Sequence, residues 1–332
     1  MNGSITVNVG VIGAGLMGTT HARLLARAVA GAEVVAVSDA VPESAQRIAE
    51  ELDVRMDRAD ALELIGDPAV DAVVIASPAA THEPFALACI EAGKPVLCEK
   101  PLAPSAAAAK RIVEAEGALG RRVVTVGFMR RYDPGYADLK ARLDAGVVGA
   151  PLLVHCAHRN PGVHHFFDSR MVITDSAVHE VDVTRWLLGE EIVRVTVLTP
   201  TPTSKARPGL RDPQLLLFET ERGRIVDVEA FVSAGYAYDI RCEVVGEDGT
   251  LELLPPATVA LRTEHRESLA IPPGFQQRFA TAYLNELQAW VASIRLGEEP
   301  SGPAAGDGYA AAVVCEAAVA ALEAGRPVDV TW

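Results

Sequence analysis

The first part of the chain alternates short apolar runs with longer segments of helical periodicity. The apolar runs predict strands at Val7–Ile12, Glu33–Ser38, Asp71–Ala76, Pro95–Cys98 and Arg122–Gly127, with a weaker one near Val54. Helical periodicity predicts helices from the first glycines to about Ala30 and at Pro42–Leu52, Thr81–Ala92 and Pro104–Leu119. This order is typical of a doubly wound parallel α/β sheet, which binds ligands at the carboxyl ends of its strands.

After Gly127 the alternation stops, and Tyr132–Gly149 predicts a bridging helix. Strands are predicted at Leu152–His158, Ile192–Leu198, Gln214–Glu219, Ile225–Val232, Ile240–Val245, Leu251–Leu254 and Val259–Arg262. Further helices are predicted at Ile173–Leu188, Phe275–Leu296 and Gly306–Ala324. We therefore expect two domains, an α/β domain over 1–127 and an α+β domain over 128–332, the second built on a large, mostly antiparallel open sheet. The uncovered face of that sheet predicts an oligomer contact, with a solvated face as the alternative.

The helix predicted at Ile173–Leu188 carries ionisable residues on one face. At about 100° per residue, Asp175, His179 and Asp182 fall on a single stripe. Thr174 or Asp175 is positioned to cap its start, and Gly189 to end it. The four-residue spacing lets the Asp175 carboxylate hold the His179 imidazole, as a general base requires. The alternative is a solvated polar stripe on a surface helix.

A glycine turn, G-x-G-x-x-G, connects the first predicted strand to the first helix. Gly13 permits the tight turn, Gly15 lets the backbone approach a pyrophosphate, and Gly18 lets the helix pack on the strand. The hexapeptide alone also occurs in chance turns, but Asp39 ends the next strand, where a carboxylate accepts hydrogen bonds from ribose hydroxyls. A carboxylate there repels the 2′-phosphate of NADP, so we predict NAD as the cofactor.

Four more polar residues follow predicted strands and therefore belong to the same edge of the sheet: Ser77, His82, Glu99 and Lys100. Each has a structural alternative, because Ser77 precedes a proline turn, His82 begins a helix, and Glu99 with Lys100 forms a charged corner.

Charge and composition exclude several classes of partner. A formal net charge of −14 over 332 residues, without a Lys/Arg cluster, argues against nucleic acid. Five scattered cysteines without a C-x-x-C pair predict neither disulfides nor structural zinc, and so a reducing cytoplasmic setting. We expect no metal site, because His155 and His158 point to opposite faces of one strand. The N-terminal apolar run is broken by glycines and Tyr309–Cys315 is short, so no signal peptide and no membrane partner are expected.

Four motifs together resemble the glucose-fructose oxidoreductase, inositol dehydrogenase and MocA family across the whole chain. They are Gly13-x-Gly15-x-x-Gly18, Pro78-x-x-x-His82, Glu99-Lys100-Pro101 and Asp175-x-x-x-His179. The segments around Arg130, Asn160, Asp175 and Tyr238 are similar to those of its bacterial inositol 2-dehydrogenase members. The resemblance implies a Rossmann NAD domain and an oligomer formed through the C-terminal sheet, a homotetramer or, as the alternative, a dimer.

The resemblance also implies roles for individual residues. Lys100 touches the reacting hydroxyl, His179 takes its proton and Asp175 supports His179. The expected cofactor-binding residues are Gly13, Gly15, Leu16, Met17, Gly18, Asp39, Ser77, His82, Glu99 and Lys100. The expected substrate-binding residues are Lys100, Arg130, Asn160, Asp175, Ser176, His179 and Tyr238. Ser176 stands where a threonine is expected, which leaves open the preferred ring isomer.

The implied reaction transfers a hydride from a cyclic polyol, most simply from myo-inositol to give 2-keto-myo-inositol, to NAD. Three alternatives remain: a dehydrogenase of another inositol isomer or of a sugar, an NAD-dependent glycosidase, and a non-catalytic sugar sensor. The presence of Lys100, Asp175 and His179 speaks against the sensor. The polyol-type segments around Arg130 and Asn160 speak against the glycosidase.

Overall fold

The computed structural model describes residues 6–54, 56–58, 60–256 and 259–332, with only the backbone of 56–58. Residues 1–5, at the start of the predicted first domain, lie outside the described residues. The chain forms two compact units. One comprises the residues up to Met129 together with Thr281–Ala312, and the other comprises Arg130–Ala280 together with Val313–Trp332.

The first unit contains a six-stranded parallel sheet. Its elements are β1 (Val7–Ile12), α1 (Leu16–Arg27), β2 (Ala32–Ser38), α2 (Pro42–Leu52), β3 (Met56–Arg58), α3 (Ala61–Gly66), β4 (Ala72–Ile75), α4 (His82–Glu91), β5 (Val96–Glu99), α5 (Ala106–Leu119) and β6 (Val124–Gly127). The strand order β3-β2-β1-β4-β5-β6 is that of the Rossmann fold, and it confirms the predicted doubly wound sheet. The short helix α3, which the Asp60 carboxylate caps, was not predicted.

The second unit is built on a seven-stranded sheet. Its elements are α6 (Pro134–Asp144), β7 (Pro151–Arg159), α7 (Val178–Leu188), β8 (Ile192–Leu198), β9 (Gln214–Thr220), β10 (Ile225–Phe231), β11 (Asp239–Gly246), β12 (Thr250–Glu252), β13 (Ala260–Thr263), β14 (Arg266–Leu269), α8 (Phe275–Arg278) and β15 (Val328–Asp329). Of the two long helices near the end of the chain, α9 (Ala280–Leu296) belongs to the first unit from Thr281 on, and α10 (Ala305–Ala324) is divided between the two units at Ala312. The order is β12-β11-β7-β10-β9-β8-β15, and β7 with β10 is its parallel pair. The prediction of a mostly antiparallel sheet is confirmed.

One face of this sheet is buried and the other is partly open. Along β10, Val226, Val228 and Ala230 are buried, whereas Ile225 and Asp227 are half-buried on the opposite face. This period of two is the pattern from which the open sheet was predicted.

Two of the predicted helices differ in extent. The helix predicted at Phe275–Leu296 is interrupted at Phe279, where φ is −113° and ψ is 20°. The bridging helix α6 ends at Asp144, and Gly146 and Gly149, with φ of 67° and 69°, turn the chain into β7. These glycines adopt the left-handed conformation that stops a helix.

The helix α9 completes the core of the first unit. Leu287, Trp290 and Val291 are buried in one apolar cluster with Val9 of β1 and Leu25 of α1. A parallel sheet needs both faces covered, and α9, although distant in the sequence, covers part of one face.

The helix α10 is long and apolar enough to cross a membrane by length and composition alone. Most of the apolar stretch of α10 is buried inside the protein, however, as is typical of a core helix.

Candidate active site

The glycine turn after β1 has the three properties that a nucleotide-binding turn requires. A side chain at Gly13, where φ is +98°, would lie 2.6 Å from the Ala76 backbone, so only glycine fits. A Cβ at Gly18 would lie 1.7 Å from the Gly13 carbonyl oxygen, which shows how closely α1 packs on the turn. Above Gly15 no atom lies within 4 Å of the corresponding position, in the described part of the chain. The space over Gly15, at the N-terminus of α1, is therefore open, and the pyrophosphate contact itself stays a prediction.

The carboxylate of Asp39 is held beside this turn. One oxygen accepts a hydrogen bond from the Ala14 amide at 2.6 Å, and the other accepts one from the Val41 amide at 2.8 Å. These bonds fix the direction of the side chain, and each carboxylate oxygen keeps a further lone pair for a ribose hydroxyl. The ribose contact itself stays a prediction. Leu16 is exposed and Met17 half-buried in the first turn of α1, next to the space over Gly15.

Glu99 and His82 lie inside the protein at the predicted edge of the sheet. Glu99 is 7% exposed, and one of its carboxylate oxygens lies 2.7 Å from Nε2 of the fully buried His21. Burial would raise the pKa of Glu99, but the hydrogen bond and charge of His21, together with the charge of Lys100, lower it. Both ring nitrogens of His82 contact backbone carbonyl oxygens, those of Pro101 at 2.7 Å and Ser77 at 2.8 Å.

Ser77 and Lys100 are half-buried at the same edge. The Ser77 hydroxyl lies 2.7 Å from that of Thr81. The alternative of an exposed charged corner at Glu99 to Pro101 is wrong for Glu99, which is buried. His21 was not singled out from the sequence, although its place on the apolar stripe of α1, one residue before Ala22, was a signal for a buried histidine.

The segment that carries Asp175 and His179 is one continuous helical stretch with two geometries. Val172–Ala177 is a π-helix, and α7 continues from Val178. The predicted cap at Thr174 or Asp175 is wrong, because the helical stretch begins earlier and Asp168 accepts from the amides of Arg170 and Met171 just before it. Gly189, with φ of 64°, ends the helix as predicted.

The π-helix changes which residues share a face. A π-turn holds more residues than an α-turn, so Asp175 does not follow the 100° spacing assumed for the stripe. Single π-turns inside helices are frequent at functional sites. The alternative of a solvated stripe is wrong, because His179 is 7% exposed and Asp182 is 1% exposed. Ser176 is buried, and Asp175 is half-buried.

A buried ionic cluster lies next to His179 in sequence and in space. Glu180 is fully buried, and its carboxylate contacts the Arg130 guanidinium and, at 2.9 Å, Nδ1 of His158. Burial alone would raise the pKa of Glu180, but the charges and hydrogen bonds of Arg130 and His158 outweigh it and lower that pKa to about 2. The ring centroid of His158 lies 6.4 Å from that of His179. The sequence did not identify Glu180 and His158 as members of this cluster.

Tyr238 borders the same cluster, and Asn160 follows His158 by two residues in the chain. The Tyr238 ring meets His158 edge-on at 5.7 Å between centroids, and burial raises the pKa of its phenol to about 12. The backbone amide of Asn160 donates to Phe231, its carbonyl accepts from Ala234, and its side-chain Oδ1 is buried without a hydrogen-bond partner among the described residues. A buried amide oxygen without a partner is costly unless a ligand supplies the donor.

Two further observations complete the geometry of this unit. Arg131 donates to both carboxylate oxygens of the buried Asp182, which holds the far end of the stripe in place. In the described part of the chain, no group of three His, Cys, Asp or Glu side chains is arranged to hold a metal ion. The site residues of each unit are thus organised around hydrogen bonds and ion pairs.

The chain is similar to known proteins over nearly its whole length. The family model described as "Oxidoreductase family, NAD-binding Rossmann fold" matches residues 7–128, and "Oxidoreductase family, C-terminal alpha/beta domain" matches residues 140–330. Inositol 2-dehydrogenase 1 from Saccharopolyspora erythraea is 54% identical, over 98% of this chain and 97% of that protein. Inositol 2-dehydrogenase from Pseudomonas fluorescens is 48% identical, over 98% and 97%.

Solved structures agree with the sequence comparison. A crystal structure of myo-inositol dehydrogenase from Lactobacillus casei in complex with NAD(H) and myo-inositol has a TM-score of 0.94 and 37% identity, and the match covers 99% of this chain and 98% of that chain. A scyllo-inositol dehydrogenase from the same organism, with bound NAD(H) and scyllo-inositol, has a TM-score of 0.89 and 26% identity, over 98% and 99%. The resemblance inferred from the motifs is confirmed, and the chain belongs to the GFO/IDH/MocA family of NAD-binding oxidoreductases.

Proposed function

We propose that this protein is an NAD-dependent dehydrogenase that oxidises myo-inositol to 2-keto-myo-inositol. The observation that carries the proposal is the charge balance of the buried cluster beside His179. Arg130 is paired with Glu180, and Arg131 with Asp182, so both guanidinium charges are neutralised inside the protein. Such a cluster favours an uncharged ligand that binds through hydroxyl groups. Inositols are ligands of this kind, and the two similar Lactobacillus casei enzymes are described in complex with them.

The roles of the reacting groups rest on the family motifs. Bound NAD supplies a nicotinamide ring that accepts the hydride. His179 accepts the hydroxyl proton as general base, and Asp175 orients its imidazole. The Lys100 ammonium favours negative charge on the substrate oxygen as that proton leaves. No metal ion takes part in this proposal.

Two polar groups of the second unit are suited to holding the ring of a polyol. The buried Oδ1 of Asn160 accepts a hydrogen bond from a substrate hydroxyl, which satisfies that oxygen. Tyr238 stays protonated at neutral pH, because its pKa is raised to about 12, so its phenol remains a donor. Arg130 faces Glu180 and His158, and in this proposal it supports the polyol site through them.

The proposal assigns nucleotide binding to 1–127 and substrate binding to 128–332. It also includes a homotetramer formed through the open face of the seven-stranded sheet. That face presents half-buried Leu215, Leu217 and Ile225, and Leu198 is 48% exposed. Leu217→Arg should therefore reduce the molar mass measured by light scattering, and an unchanged mass would contradict this interface.

Five free, buried thiols support a cytoplasmic location.

A substrate panel tests the proposed reaction. The purified protein is incubated with myo-inositol, scyllo-inositol, D-chiro-inositol or glucose and either NAD or NADP, and the reduced nicotinamide is followed by absorbance. We expect NADH and 2-keto-myo-inositol from myo-inositol. Faster turnover of another ring would assign a different polyol. Hydrolysis of an aryl glycoside without net NADH would favour the glycosidase alternative, and sugar binding without turnover would favour the sensor.

A further inference from the structure

We infer that two buried histidines, His21 and His82, are positioning residues that fix Lys100 from both sides. His21 has no role in the proposed chemistry, and His82 is predicted only to bind the cofactor, yet each contacts a residue adjacent to Lys100 in the chain. His21 holds Glu99, and His82 holds Pro101. The inference deepens the proposed function, because it rests on the action of Lys100 on the substrate.

On the N-terminal side, the Glu99 carboxylate connects α1 to the Lys100 backbone. His21 is fully buried, and its Nε2 lies 2.7 Å from one oxygen of Glu99. The Lys100 amide donates to the other oxygen at 3.2 Å. Nδ1 of His21 is buried and has no hydrogen-bond partner in the described ranges, so the polar contact of this ring is with Glu99. A buried carboxylate anchored at both oxygens is a rigid support.

On the C-terminal side, His82 connects two turns. It is 1% exposed at the start of α4, and its nitrogens contact the carbonyl oxygens of Ser77 and Pro101. Ser77 follows β4 and Pro101 follows β5, so the ring joins the ends of neighbouring parallel strands. In the tautomer with the proton on Nδ1, the ring donates to Pro101, and movement of the Pro101 turn would break this hydrogen bond inside the protein, where water does not replace it.

This clamp, formed by the contacts of His21 with Glu99 and of His82 with Pro101, matters because lysine carries its charge on a flexible four-carbon chain. The position of the ammonium group is only as well defined as the backbone that carries it. A displacement of about 1 Å in a reacting group can cost about 100-fold in rate. Both clamping helices, α1 and α4, belong to the nucleotide-binding fold, so the fold that receives NAD also fixes the residue that acts on the substrate.

The test removes the ring nitrogens while the volume is kept. His21→Phe and His82→Phe are compared with His21→Gln and His82→Gln, which retain an N–H donor. Cys89→Ala, a buried residue of the same helix as His82, is the control for loss of packing alone. We expect each Phe variant to lower kcat for myo-inositol by about 10- to 100-fold, and His21→Phe to leave the Kd for NADH nearly unchanged. The Gln variants should recover part of kcat, and Cys89→Ala should keep it.

A second measurement follows Lys100 directly and does not require turnover. Each variant is acylated with the N-hydroxysuccinimide ester of acetic acid, and the rate at Lys100 is measured by mass spectrometry relative to the exposed Lys110. Release of the clamp should raise the relative rate at Lys100 severalfold. If a Phe variant does not fold, the shorter His21→Asn or His82→Asn takes its place.

Folded Phe or Asn variants with wild-type labelling of Lys100 would overturn the inference. Equal losses of kcat in the Phe and Gln variants and in Cys89→Ala would overturn it too, since they would indicate packing alone. If the wild type oxidises no polyol, the proposed function fails, whereas the labelling result still decides whether these histidines fix Lys100.

Discussion

Asp175 and Glu180, five residues apart on the helical stretch around His179, have different surroundings. Glu180 is buried against Arg130 and His158, and its pKa of about 2 keeps it ionised and unable to accept a proton near neutral pH. Asp175 is half-buried, on the π-helical turn. Because the Glu180 carboxylate is already engaged by Arg130 and His158, Asp175 is, of the two, the carboxylate that we propose orients His179.

Replacement of the proposed base should remove most of the activity. His179→Ala and Asp175→Asn should each lower kcat by about 100-fold or more, the usual size of a general-base contribution. Lys100→Met should do the same. Because the three groups act on one proton transfer, a double variant should be little worse than the poorer single variant. Steady-state kinetics with myo-inositol and fluorescence titration with NADH measure both properties.

The matched control is His265→Ala, which removes an exposed histidine at the turn between β13 and β14. It should retain the wild-type kcat. The limb in which kcat/KM rises with pH should disappear in His179→Ala and persist in the control. A His179→Ala enzyme with nearly normal kcat and pH profile would show that the proton leaves by another route.

The preference for NAD should depend on Asp39. Its carboxylate is fixed by the amides of Ala14 and Val41, so it cannot swing away from a 2′-phosphate without losing both hydrogen bonds. Asp39→Ser should lower the ratio of kcat/KM for NAD to that for NADP by at least about tenfold, or about 1.4 kcal/mol. Glu33→Ser, at the other end of β2, should leave the ratio unchanged. A wild-type enzyme equally efficient with NADP would contradict this role.

At the scale of the elements, substitutions at two positions of the glycine turn should separate an effect on folding from an effect on cofactor binding. Gly18→Ala places a Cβ 1.7 Å from the Gly13 carbonyl oxygen, so α1 must move, and Tm should fall. Gly15→Ala meets no described atom within 4 Å and keeps an ordinary extended backbone with φ of −73°. It should keep Tm but raise the Kd for NADH by about tenfold, or about 1.4 kcal/mol, because the methyl group occupies ligand space.

The control for the glycine substitutions is Gly117→Ala in α5, where the added Cβ also meets no described atom within 4 Å. It should leave the Kd for NADH unchanged and raise stability by roughly 0.5–1 kcal/mol, the helix preference of alanine over glycine. Scanning calorimetry and NADH titration measure the three variants together. Equal Kd values for Gly15→Ala and the wild type would show that the pyrophosphate does not approach this position.

At the scale of the whole molecule, the buried ion pair links stability to acid pH. The pKa of Glu180 is lowered to about 2 in the folded state, compared with about 4.3 for an ordinary glutamate. The pair therefore stabilises the fold fully above the ordinary value, and this contribution is lost as the pH falls toward 2. Urea unfolding between these pH values should show a steep loss of unfolding free energy.

Glu180→Gln should flatten the dependence of the unfolding free energy on acid pH. It should also lower the unfolding free energy at neutral pH by roughly 3–5 kcal/mol, because the buried Arg130 charge loses its partner. The control is Glu43→Gln, at an exposed residue of α2, which should show the same unfolding free energy as the wild type at each pH. If Glu180→Gln loses unfolding free energy at acid pH as steeply as the wild type does, that loss belongs to other carboxylates.

The amino-acid sequence by itself determined the features that depend on contiguous residues. The turn at Gly13, Gly15 and Gly18, the strand that ends at Asp39, and the helix stop at Gly189 follow from local backbone preferences. The alternation of strands and helices determined the parallel sheet, and with it the edge at which Ser77 and Lys100 lie. Period-two patterns likewise determined the open sheet of the second unit.

Only the tertiary structure decided which distant groups meet. His21 and Glu99 are 78 residues apart, and Arg130 and Glu180 are 50 apart, and nothing local to either residue identifies its partner. The parallel pairing of β7 with β10, the return of α9 to the first core and the π-turn at Asp175 are of the same kind. A sequence shows that a buried charge needs a partner, but the choice among many candidates depends on the packing of the folded chain.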